Sequence, residues 1–223
     1  MIRYQNIYLV GKGYLSNKLI KYLKDFSQKR KINFNSYPNL EYFILNKKIE
    51  NSIVILSCFP SVKYDNFYET NFLIKKIFVD DFLNQNKNSS NKIIFFNTLR
   101  IQYKIIQNDF DKKYISYNEW FLKQSFKYNN FYNLLLPFIY DKDLYKKENS
   151  IAHKIYKNNL SIKDFGNKLI PFMKFRNFKK FIHRIITDFL NNNKIDNILV
   201  PSYSLITEKQ LYLRIYNDLK NRN

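Results

Sequence analysis

Glycine is almost missing from this chain: there are three in 223 residues, and two of them, Gly11 and Gly13, stand one residue apart. Background composition does not explain such a pair. A single cysteine, Cys58, excludes an internal disulfide, and two histidines, His153 and His183, are too few for a zinc-binding cluster. No metal site is therefore expected. Prolines number five and form no linker with glycine or serine, and no internal repeat is visible. No apolar run approaches the roughly 20 residues that cross a bilayer. The opening Met1-Ile2-Arg3-Tyr4-Gln5-Asn6 runs almost directly into a strand, with no hydrophobic signal core. The expectation is a cytoplasmic protein without a membrane span.

What is present argues for a packed core. A hydrophobic fraction of 45% with 18% aromatics excludes disorder, and 223 residues suffice for one large domain or one domain with a small appendage. The formal charge of +20 suggests a phosphate-binding surface. Yet lysine, asparagine, isoleucine, tyrosine and phenylalanine are over-used together, the mark of AT-rich codon usage, and the lysines are spread along the chain. The densest clusters, Lys29-Arg30-Lys31 and Lys179-Lys180, sit in no nucleic-acid-binding signature. A solvated lysine-rich surface is the reading, and nucleic acid is not expected as a partner.

The segment Ile7-Tyr8-Leu9-Val10-Gly11-Lys12-Gly13-Tyr14-Leu15-Ser16 passes from a buried strand through the glycine pair into a helix. Gly11 permits a tight turn and Gly13 lets backbone approach a pyrophosphate. The amides opening the helix at Tyr14 and Leu15 supply donors and a positive dipole end. Leu15, Leu19, Ile20, Leu23 and Phe26 then recur at helical spacing, and Ser16 stands where a third small residue packs helix on strand.

Beyond this segment, short apolar strands at 33–36, 53–57, 93–96 and 134–138 alternate with helical patterns at 66–83 and 117–126. After Asp141 the pattern is less regular. It resumes with a helix at 178–190, a short strand at 197–200 and a helix at 207–219 capped by Thr207. Such alternation predicts an α/β fold, a parallel sheet covered by helices on both faces, with ligands along the strand C-terminal edge.

In this order the pieces resemble the extended short-chain dehydrogenase/reductase family, in particular its sugar-nucleotide epimerases, dehydratases and reductases. Residues 53–58 look like the strand beneath the adenine-ribose side of the cofactor, Asn71 matches a helix asparagine, and Thr98 matches the Ser/Thr closing the next strand. Residues 135–140 resemble the turn toward the substrate region. Phe181-Ile182-His183, with Asp188, Pro201 and Thr207, resembles the late segment that packs the substrate lobe. The resemblance implies a Rossmann-type doubly wound sheet at 1–141 and a small C-terminal substrate-binding lobe at 142–223, part of 178–200 packing back on the sheet. It also implies NAD or NADP as cofactor, a nucleotide sugar or related small molecule as substrate, and a role in bacterial surface-polysaccharide synthesis. A homodimer is compatible with it.

The family's chemistry rests on Tyr-x-x-x-Lys, a pair on one helix face in which the ammonium favours the phenolate. The matching region is Tyr114-Ile115-Ser116-Tyr117-Asn118-Glu119-Trp120-Phe121. Tyr114 is followed at four residues by Asn118 and Tyr117 by Phe121, so the lysine is missing in either register. Lys123 is six residues from Tyr117, roughly 120° around the helix. Tyr117 is the first candidate acid/base, with Tyr114 the other register and Thr98 as the group that orients substrate. Asn118 stands at the lysine's cofactor-binding position for the Tyr114 register. The acid expected about 20 residues beyond the glycines is replaced by Asn33, Asn35 and Ser36, and Asn35 is assigned to the adenosine ribose. Arg100 and His183 are surface or structural residues in this reading. The alternative function is a catalytically silent relative that binds nucleotide or serves as an assembly partner.

Overall fold

The computed structural model describes residues 3–46, 49–57, 68–103, 109–147 and 150–221. Cys58, Asn66 and Phe67 lie outside these. The chain divides into two compact units, one of Met1–Leu135 with His183–Val200 and the other of Leu136–Ile182 with Pro201–Asn223.

The first unit alternates strand and helix: β1 Asn6–Val10, α1 Tyr14–Arg30, β2 Asn33–Tyr37, α2 Leu40–Asn46, β3 Ser52–Leu56, α3 Tyr68–Asn86, β4 Lys92–Thr98, α4 Arg100–Tyr103, α5 Asp109–Lys127 and β5 Phe131–Leu136. With β8, Ile198–Leu199, the strands form one parallel sheet in the order β2-β1-β3-β4-β5-β8. From β1 the chain steps outward to β2 and then returns to the other side at β3. The turn after β1 thus lies at the point where strand order reverses, where open α/β sheets form ligand crevices.

Alternation of side chains divides the core. Tyr8, Val10, Val54, Leu56, Ile93 and Phe95 pack against Phe43 of α2, Val79, Phe82 and Leu83 of α3, and Tyr117 and Phe121 of α5. Ile7, Leu9, Ile53, Ile55, Ile94 and Phe96 point the other way and are equally buried. Leu19, Leu23 and Phe26 form the buried stripe of α1. That helix ends on Lys31 in the left-handed region (φ 56°), with the N–H of Ile32 donating to the Ser27 carbonyl at 2.9 Å.

The second unit carries a three-stranded sheet in the order β6-β7-β9, formed by Phe138–Tyr140, Leu169–Lys174 and Ser204–Thr207. Its first pair is parallel and its second antiparallel. It also holds α6 Ile151–Tyr156 and the closing α8 Glu208–Lys220. Thr207 caps α8 as expected: its hydroxyl accepts the Gln210 N–H at 3.1 Å, and the Gln210 side chain accepts the Thr207 N–H at 2.9 Å. The remaining helix, α7 Phe175–Leu190, buries Phe178, Phe181, Ile182, Ile185, Ile186 and Phe189, a helical stripe over its whole length.

One expected element divides. The apolar run at 134–138 reads as a single strand, but Pro137 brings no N–H to a ladder, so β5 stops at Leu136 and β6 begins at Phe138 in the other sheet.

Inside the first unit asparagine amides close gaps that apolar side chains cannot. Asn91 Nδ2 donates to the Ile49 carbonyl at 3.0 Å and to Asn86 Oδ1 at 2.9 Å, while its Oδ1 accepts the Ser52 N–H at 2.9 Å. Asn197 Nδ2 lies 3.0–3.1 Å from the carbonyls of Ser125, Tyr128 and Phe131, tying the end of α5 to the β5–β8 edge. Asn133, fully buried in β5, donates to the Phe121 carbonyl at 2.9 Å and to the Ser125 hydroxyl, and accepts from Asn97 at 2.9 Å.

Asn133→Leu strands these partners, at about 1–3 kcal/mol for each buried group left unpaired. A urea midpoint unchanged from the parent protein would show that the amide is dispensable. Tyr4 gives a pH test, since burial pushes its phenol up to about 12, above the unfolded value near 10. A raised folded pKa contributes stability that is complete below about pH 10 and lost as pH climbs toward about 12. Tyr4→Phe should therefore lose less stability over that window than the parent, as read from urea midpoints at successive pH values.

Candidate dinucleotide site

The loop after β1 is built by its neighbours. The Gly11 N–H donates to the Tyr37 carbonyl at the end of β2, 2.8 Å away, and the Ser57 N–H beyond β3 donates to the Val10 carbonyl at 2.7 Å. Held between two strand ends, the chain turns at Gly11 with φ 129°, a conformation that a side chain resists. Gly13 is the extended N-cap of α1, and its carbonyl accepts the first helical bond, from the Asn17 N–H at 3.0 Å. The amides of the first helical turn precede any carbonyl of the helical ladder that could accept from them, and Leu15 and Ser16 lie in that turn. No acidic residue lies in that turn, and its N-cap, a glycine, brings no capping side chain. A Cβ built on Gly13 meets nothing within 4 Å, so the space before the helix is open. Ser16 is fully buried, as expected of the third small residue, and its Oγ has no hydrogen-bond partner among the described residues.

These features fit the pyrophosphate of a dinucleotide: an uncapped positive helix end, an open approach at Gly13 and no competing carboxylate. The ribose side is different. Asn35 is exposed and pairs in register with Tyr8, two residues short of the end of β2. The strand extends to Tyr37 because that carbonyl receives the Gly11 N–H. Tyr37, half-buried against Phe43 at 5.2 Å between ring centroids, thus occupies the end of β2 beside the loop.

At the end of β4 a polar cluster sits within the apolar core. Asn97, 2% exposed, donates through Nδ2 to the Asn118 carbonyl at 3.0 Å and to Asn133 Oδ1 at 2.9 Å. Its Oδ1 accepts the N–H of the half-buried Thr98 at 2.7 Å. Asn118 is fully buried and donates through Nδ2 back along α5 to the Tyr114 carbonyl at 2.7 Å, while its Oδ1 has no hydrogen-bond partner among the described residues. Thr98, Asn118 and Tyr114 are therefore joined through Asn97 and the backbone of α5. Asparagines inside the apolar runs Phe95-Phe96-Asn97 and Phe131-Tyr132-Asn133 were the available signal for this cluster, and sequence reasoning passed over both.

The two tyrosine registers differ in burial. Tyr117 is 2% exposed, its ring edge-on to Phe121 at 4.8 Å, and Phe121 stacks on Phe95 at 3.9 Å and 10°. Both belong to the sheet–helix core. Tyr114 is one turn nearer the start of α5 and only half-buried. Asn71 lies within α3 and Arg100 opens α4. Lys123 is exposed. His183 joins α7 to α1: its Nδ1 is 2.7 Å from the Tyr22 hydroxyl and its ring is edge-on to Phe26 at 5.1 Å. Lys29, Arg30 and Lys31 gather at the far end of α1, where the helix dipole favours cations. Among the described residues no group of three His, Cys, Asp or Glu is placed to hold a metal, and no helix is long and apolar enough to cross a membrane.

No family model matches the chain, and no curated protein matches it in sequence. Solved structures do share its fold. The capsular polysaccharide assembling protein CapF from Staphylococcus aureus superposes with a TM-score of 0.58 at 14% identity, over 96% of this chain and 57% of its own length. This chain therefore spans little more than half of that protein. A UDP-galactose 4-epimerase aligns at TM-score 0.62 and 8% identity, over 94% of this chain and 81% of that one. An ADP-L-glycero-D-manno-heptose-6-epimerase from Helicobacter pylori reaches 0.63 at 13% identity, covering 99% and 83%. At such identities the likeness shows the fold, a Rossmann-type α/β architecture shared with these epimerases.

The two loop glycines should respond differently to substitution. Gly11→Ala forces a side chain into a conformation costing about 1–3 kcal/mol. Gly13→Val adds a branched group to open space and should stay within about 1 kcal/mol of the parent. Equal urea midpoints for the two variants would contradict the geometry.

Proposed function

We propose that the chain binds a nicotinamide dinucleotide through the Gly11–Gly13 loop and acts on a nucleotide sugar as an epimerase, dehydratase or reductase with weak turnover. The observation carrying this reading is the uncapped start of α1, acid-free, behind a glycine whose Cβ position is open. Gly11 makes the turn, Gly13 admits the pyrophosphate, and the amides of Tyr14, Leu15 and Ser16 donate to it. The shared fold of the epimerases and of CapF supports the substrate class and a place in surface-polysaccharide synthesis. When bound, the nicotinamide would accept or supply hydride at a sugar carbon. NAD and NADP both fit this reading, because β2 carries neither an acid nor a cation that selects between them.

The chain's own residues divide the remaining work. Tyr114, with its half-buried ring, holds the proton of the reacting hydroxyl, and Thr98 orients that hydroxyl. Asn118 occupies the position where an ammonium would favour the phenolate, and it carries no charge. The phenol therefore remains a poor base at neutral pH. Tyr117, the first candidate from sequence, is the weaker choice because its ring is spent on core packing.

A second reading, a nucleotide-binding partner without turnover, is favoured by one observation: the Asn118 amide is engaged with the carbonyl of Tyr114 itself. Two measurements separate the readings. Titration with NADH and NADPH should give saturable binding that Gly13→Val removes without unfolding the protein. Failure of the parent to bind either cofactor would reject both nucleotide readings. With binding established, neutral-pH turnover on a panel of nucleotide sugars should fall to background in Tyr114→Phe while cofactor binding is kept. Phe121→Lys should instead unfold the protein, since it buries an ammonium in the aromatic stack. Cofactor binding with every variant silent would establish the non-catalytic partner.

A further inference from the structure

A lysine at the opposite edge of the sheet has an environment that neither reading of the nucleotide loop uses. Lys92 opens β4 and is half-buried. Its Nζ donates to the Tyr132 hydroxyl on the adjacent β5 at 3.2 Å and lies 5.6 Å from the Tyr132 ring and 5.9 Å from the ring of Phe189 in the last turn of α7. Tyr132 and Phe189 meet edge-on at 4.7 Å, so two rings wall the amine. Among the described residues it meets no carboxylate. The titratable groups at this cluster are Tyr132 and Tyr4, and burial raises both phenols, Tyr4 to about 12, where Tyr132 adds a smaller upward push. Neither supplies an anion at neutral pH. Taking the ammonium from water without a counter-charge favours the neutral amine, and burial lowers the Lys92 pKa below the ordinary lysine value. A half-open, desolvated amine of this type is the common form of a nucleophilic lysine.

We propose that Lys92 is an acyl-acceptor site, modified in preference to the surface lysines by small acyl phosphates. The neutral Nζ attacks the acyl carbon, a C–N bond forms, and the C–O bond to phosphate breaks. Phosphate leaves with the electron pair, and the displaced N–H proton passes to water. No oxidant or reductant enters. The product is a neutral amide whose remaining N–H still faces the Tyr132 oxygen, so the reaction removes the uncompensated charge from the cluster. Selectivity follows from burial on one side, which frees the lone pair, and an open side that admits a small donor.

The test uses the intact protein and acetyl phosphate. Acetylation of each lysine is followed by peptide mass spectrometry from pH 6.5 to 10. Lys127 is the reference: it is fully exposed, and its ammonium is favoured by the Tyr128 hydroxyl and by Asp80 at 3.4 Å. At pH 7 Lys92 should react on the order of tenfold faster than Lys127, the gap narrowing toward pH 10 as every lysine loses its proton. Tyr132→Phe keeps the ring and deletes the hydroxyl that holds the ammonium form, so in that variant Lys92 should acetylate at least as fast as in the parent. Acetylation of Lys92 no faster than that of Lys127 at pH 7, or a ratio independent of pH, would overturn the proposal. So would a fall in Tyr132→Phe to the rate of the exposed lysines.

Discussion

From Ile53 to Leu56, β3 has no solvent-exposed side chain on either face, and β1 and β4 flank it as nearly buried strands. Such strands need apolar cover on both sides, so α2, α3 and α5 carry large hydrophobic residues onto one face and α1 buries its stripe on the other. With both faces occupied, polar chemistry in this unit is pushed to the strand ends. The C-terminal ends of β1 and β3 meet at the reversal of strand order, and the glycine loop is held there by two backbone bonds from β2 and β3. The position of the candidate site is thus a consequence of double burial rather than of any single motif.

A sheet so enclosed still has backbone groups to satisfy at its margins, and asparagine serves there repeatedly. Asn91 and Asn130 bind the starts of strands to the end of α3, and Asn197 collects carbonyls where α5 ends. The amide suits this because it donates twice and accepts up to twice within a small volume and carries no charge to desolvate. In a chain rich in asparagine this device requires no rare residue. It also leaves a few loose ends: among the described residues the side-chain oxygens of Asn118 and Asn130 have no hydrogen-bond partner.

The same residue type alters the chemistry at the end of β4. A lysine at position 118 would bring a cation to the tyrosine one turn earlier, whereas the asparagine completes a neutral network with Asn97 and the backbone of α5. Structural cohesion increases and electrostatic drive toward the phenolate is lost. At the opposite edge the distribution is inverted: Lys92 places its amine against aromatic rings, with a neutral hydroxyl and, among the described residues, no carboxylate beside it.

Much of this was legible in the residues themselves. Helical and alternating periodicities are local, so the main strand and helix order of the first unit, its parallel sheet, the glycine turn, the buried Ser16 and the Thr207 cap could be read without a structure, whereas α6, β7 and β9 of the second unit could not. Boundaries moved wherever a distant partner decided them. β2 gained Tyr37 because its carbonyl receives the Gly11 N–H, and the 134–138 strand split at Pro137 between two sheets. Periodicity gives a helix at 117–126, whereas α5 starts at Asp109 and carries Tyr114 as well as Tyr117, and only packing against Phe95 and Phe121 determines which phenol is enclosed. The amide cluster of Asn97, Asn118 and Asn133 was equally hidden, since its members lie 15 or more positions apart and hydrogen-bond only once β4, β5 and α5 are side by side. The sequence by itself determined a Rossmann-type sheet with a phosphate-compatible loop and no Tyr-x-x-x-Lys pair in the matching helix. Tertiary structure alone decided which side chains are enclosed and which polar atoms find partners, because burial and hydrogen bonding depend on segments that meet only in the folded chain.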